Sequence, residues 1–278
     1  MKTLSLFALA GMLAAFPAGT MELAPVGMVP VAAGSSQSPQ GPDFSWHKVM
    51  AAGKTLEIKG VNGDIRTTLA SGNEASVTAT KTARRSDPDG VEIKVLEDAD
   101  GVTICVLYPS PRRGEPNECG SGNHGRMNTE NNDVTVTFTV AVPAGVHYVA
   151  NTVNGEIRVA ALKSDVEAET VNGSIRISTS GRAEARTVNG SIEATMGNAN
   201  WEDDVAFTTV NGGITLELPS EVNAELKAST VNGDISSDFP VTVQGRFGPR
   251  SMRGTLGRGG HELALETVNG SITLRKAQ

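Results

Sequence analysis

Large rings are scarce in this chain: seven Phe, two Trp and two Tyr among 278 residues, an aromatic share of 4%. A core built without them must lean on Val, Ile, Leu and Ala, which fill space well only where backbone layers lie close together. Cysteine is nearly absent too, with Cys105 and Cys119 alone. Basic charge is in deficit, 24 Lys and Arg against 31 Asp and Glu, for a net charge of −7. A sequence-independent nucleic-acid binder needs the opposite balance, so no nucleic acid is expected as partner. Catalytic signatures are missing as well. His47, His124, His147 and His261 sit in unrelated contexts, none within HExxH, and neither a GxSxG elbow nor a phosphate-binding glycine loop occurs. No cofactor is expected.

Long apolar runs are confined to the start. Lys2 precedes the apolar stretch Leu4 to Phe16, and small residues follow, the pattern of an export signal. The stretch is about 13 residues, short of the ~20 that span a bilayer. Val31-Ala32-Ala33 offers small residues at both recognition positions before Gly34, and a cut near Ala18 or Gly19 also fits. The expected organisation is therefore a signal peptide over 1–33, a flexible Ser/Pro/Gly linker over 34–45, and one domain over 46–278. After cleavage no transmembrane segment is expected. An exported chain meets an oxidising compartment, where two cysteines favour one disulfide. Joining Cys105 to Cys119 would stabilise by roughly 3 kcal/mol in the chain-entropy model. A metal site with His124 would muster only three ligands, one fewer than a structural zinc site needs, so no metal is expected.

What the chain has in plenty is a repeat. Val-Asn-Gly occurs seven times, starting at Val61, Val153, Val171, Val188, Val210, Val231 and Val268. Two residues after each Gly stands an Ile: Ile65, Ile157, Ile175, Ile192, Ile214, Ile235 and Ile272. Thr precedes the Val in six copies and Gly60 in the first. From Val153 onward the steps are 18, 17, 22, 21 and 37 residues, the last about two periods, and the 92-residue gap before Val153 about five. Flanking residues alternate with period two, as in Ile175/Ile177 and Val166/Ala168, which is strand periodicity.

Two all-β topologies fit. Asn-Gly is a strong hairpin signal, so an antiparallel meander or sandwich is one. The other is a β-solenoid of ~17–22-residue coils, with Asn62, Asn154, Asn172, Asn189, Asn211, Asn232 and Asn269 at equivalent corners, their amides forming a ladder. A hairpin demands only the Asn-Gly. The recurrence of both Val and Ile favours the solenoid, with both side chains pointing inward. Adjacent corners such as Asn172 and Asn189 would then lie about 4.8 Å apart, against ~10 Å in a meander. The section 46–150 is irregular and 151–278 regular. Within the former, the polar stretch Tyr108–Asp133 is a long loop expected to be the most mobile part of the domain, even when tethered.

Surface columns read across coils carry both signs. Glu169 falls beside Arg186, and Arg176 beside Glu193, which supports register and gives no single-sign stripe for a charged polymer. Asp203-Asp204 and the Asp98/Asp100 pair read as solvated turn acids. The Asn-Gly-Ser sequons at Asn172, Asn189 and Asn269 are by-products of the repeat.

With these motifs in order, LEIKGVNGDI, VTICVLYP followed by NECGSG, FTVAVPAGV, and the closing GTLGRGGHELALETVNGSITLRK, the chain resembles the bacterial "putative adhesin" family of exported β-strand-repeat proteins, a family of unknown function. The resemblance runs from about Trp46 to Lys276. It implies a β-solenoid-like fold and a periplasmic, cell-surface or secreted location, and it brings no catalytic residues. The expected function is non-catalytic binding or scaffolding for an unknown envelope partner. The alternative is a polysaccharide-processing enzyme on a β-helix, which would gather acids and a basic residue in one concave groove.

Overall fold

The computed structural model describes residues 43–110, 113–198, 201–243 and 250–277; the expected signal peptide over 1–33 and most of the expected linker over 34–45 lie outside them. Each regular coil runs up one sheet, turns at Val-Asn-Gly, and returns along a second sheet facing the first. In one coil Val166–Glu169 belongs to the first sheet and Ile175–Thr179 to the second. The next coil repeats this with Ala183–Arg186 and Ile192–Met196. Equivalent strands pair in parallel, Val166 with Ala183 and Ile175 with Ile192, so like residues stack on like. The architecture is the solenoid and not the meander. Among the described residues eleven strands form the first sheet and ten the second.

The corner differs from expectation in one respect. Ile157, Ile175, Ile192, Ile214 and Ile272 point into the core with no exposed surface, but the valines do not follow them. Val153, Val171, Val188, Val210, Val231 and Val268 are 37–55% exposed; Val61 alone is covered. The reason is the pleat. Along Val166–Glu169 side chains alternate in and out, and the alternation continues through the corner: Thr170 turns in and Val171 out. Thr152, Thr170, Thr187, Thr209, Thr230 and Thr267 are thus the buried members of the motif. Their hydroxyls are satisfied across the stack: Thr187 donates to Gly173 O at 3.0 Å and Thr209 to Gly190 O at 2.9 Å. Outward valine is therefore compatible with parallel coils.

Asparagine Nδ2 donates to the Oδ1 of the preceding corner, 2.8 Å at each step, from Asn62 through Asn154, Asn172, Asn189 and Asn211. Beyond Asn211 the spacing in the sequence misleads. Asn269 stacks on Asn211, and Asn232 on Asn269, so the last repeat in the chain is next to last in the stack. The 37-residue step is a detour through the antiparallel strands Thr242–Val243 and Ser251–Leu256, not two coils. The 92-residue gap holds no coils of the regular kind either. Asn154 sits directly on Asn62, and the intervening chain builds the other end of the stack. There Thr135–Val142 continues the second sheet in parallel before Glu74–Thr82 and Phe44–Val49 close it antiparallel. Gly101–Leu107 and then Glu92–Glu97 close the first sheet likewise. Antiparallel edges close both sheets at this end of the stack and limit templated growth there.

Between the sheets lies a core of Val, Ile, Leu and Ala with few rings, chiefly Phe138, Tyr148 and Phe207. Tyr148 is wholly buried, its hydroxyl accepting from Thr67 Oγ1 at 2.7 Å, and burial pushes the phenol above its usual range.

Asp133, just before Thr135–Val142, accepts from the backbone of Ser86 at 2.8 Å. The Ser86 N–H, and then the Ser86 hydroxyl, pull its carboxyl down to about 2. A folded-state value below the unfolded one makes the contribution complete above the ordinary carboxylate range and lost as pH falls toward 2. A carbon-detected NMR titration should place the Asp133 midpoint near 2; a midpoint near 4 would contradict this contact.

Candidate functional site

On the outer face of the eleven-stranded sheet, the strand Thr55–Lys59 presents Glu57 and Lys59 side by side, two residues apart. An outward Glu on a sheet is normally wet, yet Glu57 is 4% exposed. The polar loop lies over it as a strap, whose short hairpin pairs Glu118–Cys119 with Gly125–Arg126. Glu57 Oε2 accepts from Gly122 N and Thr103 Oγ1, each at 2.9 Å, and Oε1 from Asn151 Nδ2 at 3.3 Å. Lys59 Nζ stands 3.6 Å from Glu57 and donates to three strap carbonyls, Gly120 at 2.5 Å, His124 at 3.1 Å, and Gly122. A carboxylate thus takes the strap's N–H while an ammonium takes its carbonyls, and both charges are compensated under the loop.

Cys105 and Cys119 are disulfide-bonded with Cα atoms 5.8 Å apart, tying the strap to Gly101–Leu107. Asn117 is the hub of its first half. Its Nδ2 donates to Asn128 O at 2.8 Å and Tyr108 O at 3.0 Å, and its Oδ1 accepts from Asn128 N at 2.7 Å. Mass spectrometry of the protein isolated without reductant should find no free thiol. Cys105→Ser/Cys119→Ser should lose up to about 3 kcal/mol, since Lys59 and Glu57 still hold the loop; two free thiols in the isolated protein would count against the bond.

The strap leaves a cleft on either side. One, of about 320 Å³, has Val61, Val153, Val171 and Met127 among its lining, with His124 and Glu169. The other, of about 360 Å³, is polar, with Thr55, Asp98, Asp100, His147, Glu167 and Asn123. In the polar cleft His147 Nε2 lies 3.4 Å from Glu167 Oε1. That hydrogen bond holds the Glu167 carboxyl below its ordinary value, opposed by partial burial and helped by the charges of His147 and Arg182. Asp98 Oδ1 is taken by the backbone N–H groups of Asp100 and Gly101, at 2.8 and 2.9 Å. Among the described residues no group of three or more His, Cys, Asp or Glu is placed to hold a metal ion. No helix among them is long and apolar enough to cross a membrane.

Across the molecule, Arg176 meets Glu193 at 3.1 Å on the ten-stranded sheet, whereas Glu169 and Arg186 stand in register without an ion pair. The corner asparagines, three of them within sequons, spend their amides on the ladder. Glu57, Lys59 and Asn117 were not singled out by the sequence. Glu57 and Lys59 flank the inward Ile58 in LEIKG, an ordinary strand pattern, and only the strap's arrival makes them special.

Parallel coils turning at stacked Val-Asn-Gly corners, with this strap, extend over nearly all the described chain, and residues 50–275 match the model of the Toastrack DUF4097 family. The chain belongs to that family. Its fold is the β-solenoid-like toastrack, here with seven stacked corners. Among solved structures, the toastrack chain is similar to one described as a putative cell adhesion protein from Clostridium sporogenes. Identity is 14%, with 85% of this chain and 100% of that chain covered, at a TM-score of 0.43. Another, described as a putative adhesin from Bacteroides fragilis, is 8% identical, with 83% and 96% covered and a TM-score of 0.31. No curated protein matches the chain.

Proposed function

We propose that this toastrack chain is an exported, non-catalytic envelope protein that binds a partner, as an adhesin does, through the strap and the surface beside it. One observation carries the reading: a loop that buries little of its own is fixed to a rigid sheet by a disulfide, a buried carboxylate and a lysine. A polar loop anchored at these points to the sheet loses less entropy on binding than a free loop would, the usual economy of recognition loops. Export is supported by Lys2 and the apolar run Leu4 to Phe16, and a disulfide suits an oxidising compartment.

The polar cleft supports a second reading, polysaccharide processing, because it collects Asp98, Asp100 and Glu167 with His147. It is the weaker one, since Asp98 is committed to its turn and Glu167 to His147. Photo-crosslinkers at Asn123 and at Thr215, on the opposite sheet, separate these outcomes in intact cells. Specific adducts at Asn123 and not at Thr215 support the proposal. Equal labelling, or none from a folded exported chain, sinks it. Release of reducing ends from envelope polysaccharide, abolished by Glu167→Gln, would favour the enzyme.

A further inference from the structure

Six valines of the repeat face solvent in a single file. In stack order they are Val153, Val171, Val188, Val210, Val268 and Val231. At ~4.8 Å per coil the file is about 24 Å long. A β-branched residue suits the extended backbone there, but Thr would serve equally and would be wetted without cost. Valine stands in all seven copies of the motif nonetheless. The backbone beneath offers a visitor nothing. Val153 O, for example, accepts Asn172 N at 2.7 Å and Val171 N at 3.3 Å, and the neighbouring asparagine amides are spent on the ladder. A strand seeking hydrogen bonds finds none here, so the column favours apolar contact only.

Period decides among apolar partners. Side chains on one face of an extended peptide recur at about 6.6 Å, which drifts out of step with a 4.8 Å file within two or three residues. A second copy of this chain carries the same file at the same spacing, so two such files stay in step wherever they overlap.

Charge then selects the alignment. Beside the valines, on the eleven-stranded sheet, runs a column that in stack order reads Lys59, Asn151, Glu169, Arg186, Thr208, Glu266. A two-fold axis in the contact plane, perpendicular to the stack, sets this column antiparallel against itself. Centred between the coils of Val171 and Val188, it places Glu169 opposite Arg186 of the other copy, twice by symmetry. Asn151 then faces Thr208, whereas Lys59, held by the strap carbonyls, and Glu266, paired with Lys227 at 3.1 Å, take no part. Shifting the centre by half a coil either way sets Glu169 against Glu169 or Arg186 against Arg186. Neither Glu169 nor Arg186 is engaged in an ion pair among the described residues, so both are free to pair outward.

We propose that the valine column is a self-association surface, joining two copies antiparallel with reciprocal Glu169–Arg186 contacts. The face is narrow, on the order of 400 Å² per copy against the ~800 Å² of a standard interface, so the dimer is weak and concentration-dependent.

Sedimentation velocity on the purified mature chain, from about 1 to 500 µM, tests this. A monomer–dimer equilibrium is expected in that range. Glu169→Arg alone and Arg186→Glu alone should each weaken it at least about tenfold, whereas the double exchange Glu169→Arg/Arg186→Glu should return it to within about threefold. Val171→Asp/Val188→Asp should abolish it with an unchanged circular dichroism spectrum, because both side chains face solvent. A chain monomeric throughout, a dimer indifferent to the single reversals, or a double exchange that restores nothing would overturn the proposal. So would a monomer that captures vesicles or another protein through these valines. No envelope partner is present in the experiment, so its result is independent of the strap's role.

Discussion

Gly190→Ala is expected to destabilise the protein by about 3 kcal/mol or more, the largest effect foreseen for adding one methyl group. A Cβ at Gly190 would stand 2.5 Å from the carbonyl carbon of Gly173 in the coil beneath, and nearer still to its oxygen. Neither backbone can give way. Gly173 N donates to Asn189 O at 3.0 Å and Asn189 N to Val171 O at 2.8 Å, so the two corners are stitched together on both sides of the contact. The same approach recurs at Gly155, Gly173, Gly212, Gly233 and Gly270, which makes glycine at this place a condition of stacking and not of turning. Gly72, where an added methyl would meet nothing within 4 Å, serves as the control: Gly72→Ala should stay within roughly 0.5 kcal/mol. Urea unfolding of both variants reads the difference, and equal midpoints would contradict the close approach.

Ile175→Ala should cost about 2–4 kcal/mol, as truncation of a fully buried side chain stacked between Ile157 and Ile192. Its neighbours in the motif behave differently. Ser174 lies outside and its Oγ accepts one long bond, 3.3 Å, from Ser191 N, so Ser174→Ala should remain within roughly 0.5 kcal/mol. Val171, outward and 39% exposed, should cost no more than about 1 kcal/mol as Val171→Ala. A Val171 penalty equal to that of Ile175 would mean that both side chains are buried, and the corner geometry described here would be wrong.

These three residues also mark what the amino-acid order makes legible. The recurrence of Val-Asn-Gly with Ile two places on points to equivalent corners in adjacent coils, and the inward Ile follows from period two. The direction of Val does not. It depends on whether the pleat continues through the corner or resets there, and a buried Thr with a satisfied hydroxyl looks, in sequence, like a solvent-facing one. Stack order is likewise hidden. A 37-residue step accommodates two coils or one coil and a detour, and the hydrogen bonds of Asn269 to Asn211 and of Asn232 to Asn269 decide for the detour. The strap's seat was out of reach for a different reason. Glu57 and Lys59 lie more than 60 residues from the loop carbonyls and N–H that they hold, and nothing local in either segment announces the other.

Stack order is the most particular consequence of the solenoid, and corner-to-corner distances in an experimental structure of the protein test it most directly. Asn269 should lie between Asn211 and Asn232, with Cα separations of about 4.8 Å to each and about 9.6 Å between the outer two. Corners following chain order, with Asn211 about 4.8 Å from Asn232, or neighbouring corners such as Asn172 and Asn189 about 10 Å apart as in a meander, would contradict it.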